Sequence, residues 1–200
     1  TLFSSMAAWV LSRHHKEGWS NFIFMMFVAA MVIPFQVVML PILTVFKNIG
    51  NFTGIQMLSS YKGVVFAYLG FGGSMSIFVL HGFIKGIPKE LEEAAKIDGC
   101  NEIQTLIKVI VPMLKPAIVS CALFKFMWAS NDFLGPLLYV NSPAKYPATI
   151  FVKLAMDSDA GFAWNRILST SLISILPSII IFFIAQNQFV EGISAGGVKG

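Results

Sequence analysis

Four runs of roughly 20 or more mainly apolar residues, at 21–45, 64–84, 117–140 and 164–186, constrain this chain more than any other feature. Each is long enough to cross a hydrocarbon layer about 30 Å thick as a helix, and inside such a layer every backbone N–H and C=O must be satisfied within the protein. The chain is 56% hydrophobic and 12% charged, with a mean hydropathy of +0.75, which lies outside the range of an ordinary soluble domain. The expectation is an all-α integral membrane protein with four complete spans. Residues 2–11 are apolar but about half the necessary length, and they run directly into Arg13-His14-His15-Lys16-Glu17. They read as the end of a further helix whose beginning lies before Thr1. The opening has neither a basic leader nor a cleavage site, which argues against a signal peptide.

Charge near the span ends sets the orientation. Arg13 and Lys16, the lysines of residues 85–115 and Lys199 place eight cations on one side; Lys47, Lys62, Lys145, Lys153 and Arg166 place five on the other. The positive-inside rule makes the richer side cytoplasmic. Topology thus accounts for the net charge of +4, and no basic stripe interleaved with aromatics points to nucleic acid. Cys100 and Cys121 have no metal-ligand spacing, and neither is assigned a role. Without a linker or repeat, residues 1–200 read as one helical membrane domain. It has a cytoplasmic insertion at 85–116, an external loop at 141–162 and a cytoplasmic tail at 187–200.

The insertion is polar yet helix-forming. Pro88 suits a first helical turn, Leu91, Ala94 and Ala95 share a face, and Gly99 is suited to a left-handed stop. Asn101 and Gln104 can form a capping box for a second helix, whose apolar positions Ile103, Leu106, Ile107 and Ile110 recur until Pro112 ends the run. The pair needs a surface to lean on.

Catalytic signatures are absent: the sequence has no HExxH, GxSxG or Walker A loop, and His81 reads as a packed histidine rather than a ligand. Polar groups inside spans are the other candidates. Lys125, Ser130, Asn131 and Asp132 cluster before Gly135-Pro136, a pair that weakens a helix, and Gln36 lies between Pro34 and Pro41. Asn131 and Asp132 suit interhelical hydrogen bonds, with Lys125 as counter-charge; a substrate path exposed at a broken helix is the competing reading. Gly70, Gly72 and Gly73 are expected to loosen the second complete span.

Glu93-Ala94-Ala95, three residues, Gly99, nine residues, then Val109-x-Val111-Pro112 resembles the EAA loop of binding-protein-dependent ABC importer permeases. Ile87–Gly99, the IPFQVVMLP run at 33–41, NDF-x-x-PL at 131–137 and the ending FVEGISAGGVKG are similar to the smaller permease subunit of maltose-type and oligosaccharide importers. In this sequence Ser130 precedes Asn131-Asp132 where the family often has Trp; Trp128 stands two residues earlier.

The resemblance implies a type I ABC importer permease fold, with six spans in the full subunit and a truncated N-terminus here. It implies docking of Glu93, Ala94, Ala95, Asp98, Gly99 and Pro112 on a cytoplasmic ATPase. The implied partners are a second homologous permease, two ATPase copies holding ATP and Mg, and an extracytoplasmic substrate-binding protein. The setting would be a bacterial or archaeal inner membrane, this chain carrying no cofactor and doing no catalysis. Gln36, Ser130, Asn131 and Asp132 would belong to the translocation path, and Gly196, Gly197 and Lys199 to a tail touching the ATPase. From a different class, an ion-coupled transporter would use Lys125 and Asp132 as a charge relay and the insertion as a connector.

Overall fold

The structure, a computed structural model, describes residues 1–157 and 164–197. Its elements are α1 (Leu2–Arg13), α2 (Gly18–Val32), α3 (Phe35–Thr53), α4 (Tyr61–Lys85), α5 (Glu90–Ile97) and α6 (Glu102–Met113). After them come α7 (Lys115–Asn131), α8 (Leu134–Tyr139), a 3-10 turn at Pro143–Lys145, α9 (Ala148–Met156) and α10 (Trp164–Gly197). No strand occurs among the described residues, so the all-α expectation holds.

Among the described residues, three helical stretches are long and apolar enough to cross a membrane: Phe35–Thr53, Tyr61–Lys85 and Trp164–Gln186. A fourth is reached only if α6 and α7, bent by 77° at Leu114, count as one span. Two of the expected spans are therefore divided. The run at 21–45 breaks before Pro34, which sits extended at φ −62 and ψ 136. Proline cannot donate a helical bond and its ring disfavours a helical Ile33, so α2 stops at Val32 and α3 begins at Phe35. With 15 residues, α2 extends only about 22 Å. The run at 117–140 breaks at Asp132-Phe133 rather than at Gly135-Pro136. Pro136 falls in the first turn of α8, where its missing N–H costs nothing.

Several further expectations change. Pro88 precedes the helix, whose N-cap is Lys89. Pro112 does not end α6, because a π-helical segment at Leu106–Ile110 intervenes and the Val111 N–H reaches back five residues to the Leu106 carbonyl. α4 passes Gly70, Gly72 and Gly73 without a break, and a Cβ at Gly70 or Gly73 would meet nothing within 4 Å. Residues 141–162, expected to be an external loop, contain α9, which starts after Pro147 and buries Ile150 and Ala155. The tail, glycine-rich though it is, is helical through Gly197.

The chain divides into two compact units. One comprises Thr1–Val32, Phe71–Phe124 and the chain from Ala185. Its core gathers Ala8, Trp9 and Leu11 of α1 with Leu80 and Ile84 of α4, Leu106 and Ile110 of α6, and Cys121 of α7. His81 is buried there, stacked on Phe24 with ring centroids 3.9 Å apart, as a packed histidine should be. The other unit, Ile33–Gly70 with Lys125–Ile184, centres on Phe46, Met57, Ala67, Tyr139 and Val140. The loop before α4 is pinned there: Ser59 N–H donates to the Tyr139 carbonyl at 2.7 Å and Lys145 Nζ donates to the Ser59 carbonyl at 2.6 Å.

Candidate functional site

The insertion folds as its local sequence dictates. Glu90, Glu92 and Glu93 occupy the first turn of α5, where carboxylates complement the positive end of the helix dipole. At its other end Gly99 adopts φ +82; its N–H donates to the Lys96 carbonyl at 3.0 Å, and the Cys100 N–H donates to the Ala95 carbonyl at 2.9 Å. These are the two bonds of a Schellman cap, which needs a left-handed residue at this position. Asn101 then opens α6 with the expected capping box: Gln104 N–H donates to Asn101 Oδ1, and Asn101 N–H donates to Gln104 Oε1, each at 2.9 Å. Lys96 and Glu102 pair across the turn at 2.7 Å. That hydrogen bond, followed by the Glu102 charge, raises the Lys96 pKa above its ordinary value.

Two residues of α5 face the protein: Glu92 and Ala95 are buried. Glu92 accepts from Arg13, whose Nε and Nη2 approach Oε1 at 2.6 and 2.5 Å while Nη2 also donates to the Ile87 carbonyl at 3.1 Å. This pairing sets the first basic loop against the insertion, as expected if both lie on one side of the membrane. On the outer face Glu93, Ala94, Asp98 and Gly99 are exposed, together with Ile97 at 87% and, on α6, Ile103 at 65%, Ile107 and Pro112. Leu91, Ala94 and Ala95 therefore do not form one face: Ala95 packs inward while Leu91 and Ala94 point out. An open groove of about 450 Å³ runs beside the ion pair, lined by Trp9, His14, Lys89, Glu93 and Lys96 among others.

The second cluster is looser. Asp132 Oδ2 accepts from the Tyr68 hydroxyl at 2.9 Å, Oδ1 accepts from the Gly135 N–H at 3.2 Å, and the Asp132 carbonyl accepts from Thr149 Oγ1 at 2.9 Å. Asp132 thus holds the break between α7 and α8. Asn131 Nδ2 donates to the Met127 carbonyl one turn back, and the residue borders an open cavity of about 310 Å³ lined mainly by Met127, Ile175, Ile179 and Phe182. Ser130 is half-buried beside it, and Gln36 is exposed in the first turn of α3. No ion pair joins Lys125 to Asp132 among the described residues. Trp128 is half-exposed, its ring edge-on to Tyr68 at 5.2 Å. Gly196 and Gly197 close α10, and Lys199 lies outside the described residues.

Sequence reasoning missed Arg13 and Glu92 as a pair, although Glu92 directly precedes the motif and Arg13 was already marked as a basic loop residue. It also missed Tyr68, which gave no signal beyond being a hydroxyl in an apolar run.

Comparison with known proteins extends these local matches to the whole chain. The family described as binding-protein-dependent transport system inner membrane component matches residues 1–193. This chain belongs to that family. Among its relatives, the probable starch degradation products transport system permease of Thermoanaerobacterium thermosulfurigenes is 39% identical over 99% of this chain and 69% of its own length. The arabinooligosaccharides transport system permease of Bacillus subtilis is 31% identical over 99% of the chain and 67% of the relative. The osmoprotective compounds uptake permease of a Synechocystis strain is 34% identical over 88% of the chain and 57% of the relative. The chain thus spans 57% to 69% of the length of these permeases. As a binding-protein-dependent permease, it is a membrane-embedded transport component, and the EAA spacing lies within the residues that match the family.

Proposed function

We propose that this chain is a membrane-spanning permease subunit of an ATP-driven importer for a sugar or oligosaccharide, coupled to a cytoplasmic ATPase through α5 and α6. The observation that carries the reading is the two-sided character of α5. Glu92 and Ala95 tie it to its own chain, while Glu93, Ala94 and Ile97 point outward beside Ile103 and Ile107. An eight-residue helix with an unburied apolar side is a poor free surface and a good insert for a groove. Burying side chains such as Ile97 and Ile103 would contribute about 1.5–3 kcal/mol each before association costs. Exposed Glu93 is placed to meet a basic group of that groove.

The sugar class rests on two of these relatives, whose names refer to starch degradation products and arabinooligosaccharides. The partners are a second homologous permease, two ATPase copies that hold ATP and Mg, and an external substrate-binding protein, in a bacterial or archaeal inner membrane. This subunit performs no hydrolysis itself. Asp132 is engaged by Tyr68 and Gly135, which disfavours it as half of a proton relay with Lys125.

The test is uptake by the complete assembly of a competing panel: maltodextrins, alpha-glucosides, arabino-oligosaccharides and acidic oligosaccharides. Uptake of one of the sugars that fails on ATP depletion and survives an uncoupler supports the reading. Uptake that survives ATP depletion and collapses with the uncoupler refutes it.

A further inference from the structure

The adjacent carboxylates Glu92 and Glu93 have opposite surroundings, and that difference has a mechanical consequence. Eight residues are too few for a helix to hold itself in water, so contacts with the rest of the chain must set the position of α5. On its buried side there are two side chains, and Ala95 offers a single methyl. Glu92 is the strong anchor. Its partner Arg13 is equally sheltered, the two side chains being 12% and 11% exposed, so their attraction is less screened than that of a surface pair.

One guanidinium joins three segments: the last turn of α1, the Ile87 carbonyl in the α4–α5 connection, and α5 itself. Behind Arg13, α1 is fixed in turn. Ala8, Trp9 and Leu11 pack with Leu80, Ile84 and Leu106, and Ser20 Oγ of α2 donates to the Leu11 carbonyl at 2.9 Å. A displacement of α5 therefore has a charge-assisted route into α1 and α2 that does not pass along the backbone through α4.

We propose that Arg13 is a positioning residue for coupling: through Glu92 it holds α5 in docking register and carries its displacement to α1 and α2, leaving Glu93 for the partner. The transport half of this inference rests on the importer function above; the positioning half does not.

The experiment compares wild type, Arg13→Ala, Arg13→Lys, Glu92→Ala and the exchange Arg13→Glu/Glu92→Arg in the complete assembly in lipid. Amide hydrogen exchange across Glu90–Ile97 is measured alongside uptake per ATP hydrolysed, using the sugar of the panel above taken up fastest. Removing either partner is expected to speed α5 exchange about tenfold while Gln104 of α6 stays unchanged. Uptake per ATP is expected to fall at least about fivefold with hydrolysis itself within about twofold of wild type. The exchange variant restores both readouts part-way, since glutamate at position 13 cannot donate to the Ile87 carbonyl. Arg13→Lys lies between wild type and Arg13→Ala because one ammonium replaces a fork. Unaltered α5 exchange in Arg13→Ala overturns the proposal whatever transport does, and so does an exchange variant no better than the single variants. Wild-type uptake that ignores ATP overturns the importer function instead, and with it the transport half of this inference.

Discussion

Replacing Gly99 in three graded ways separates a conformational requirement from a steric one. At φ +82 the residue occupies the left-handed region, and a Cβ built there meets nothing within 4 Å, so the whole cost of a side chain is backbone strain. For alanine that is about 1–2 kcal/mol, and asparagine, which tolerates this region, should cost less. Proline fixes φ near −65° and removes the N–H that donates to Lys96, so the turn itself is lost, at about 3 kcal/mol or more. The reporter is the Cys100 amide, which closes the cap on the Ala95 carbonyl. Its exchange should accelerate about 5- to 30-fold in Gly99→Ala, less in Gly99→Asn, and lose protection in Gly99→Pro. Uptake per ATP should follow the same order with the protein still in the membrane. If alanine matches proline, or asparagine is worse than alanine, the cap is not what the glycine supplies.

Other consequences follow from single contacts. Asn101→Ala removes the capping box, about 1 kcal/mol, and should speed exchange of the Gln104 amide roughly fivefold; an unchanged rate would contradict the cap. In Gly135→Ala the new Cβ would stand 2.5 Å from Asp132 Oδ2 and displace the atom that accepts from Tyr68. Gly135→Ala and Tyr68→Phe should each destabilise by about 1.5–3 kcal/mol in detergent unfolding, and the double variant by much less than the sum. Strict additivity would show that the two changes act separately. Gly63→Ala would drive a Cβ into the Met57 carbonyl oxygen, and backbone cannot rotate aside. The 57–63 turn should open at a cost of about 1–3 kcal/mol, read as a lower unfolding temperature; wild-type stability would refute the close approach.

What was legible in the sequence was local. The Gly99 stop and the Asn101–Gln104 box each depend on residues within about one turn, and each forms as expected. What was not legible depended on distant partners. Periodicity groups Leu91, Ala94 and Ala95, yet which side of a short helix turns inward is decided by Arg13, 79 residues before Glu92. Pro34 and Pro112 look alike as breakers. The first breaks a helix because Ile33 cannot stay helical, whereas the second is accommodated by a π segment that sequence pattern does not announce. The helix α9 had a signal that composition hid: Pro147 at its start, with apolar Ile150, Phe151 and Leu154 at helical spacing. Its neighbouring prolines and aspartates drew the reading toward a loop.

On the proposed function, the outward face of α5 couples this permease to an ATPase. Glu93→Lys tests it most directly, because Glu93 is exposed and makes no ion pair among the described residues, so reversing its charge leaves the Arg13–Glu92 anchor in place. The measurement is sugar uptake per ATP hydrolysed in the reconstituted assembly. Glu93→Lys should insert and assemble like wild type, with uptake per ATP falling by at least about tenfold. A wild-type ratio in Glu93→Lys would contradict it.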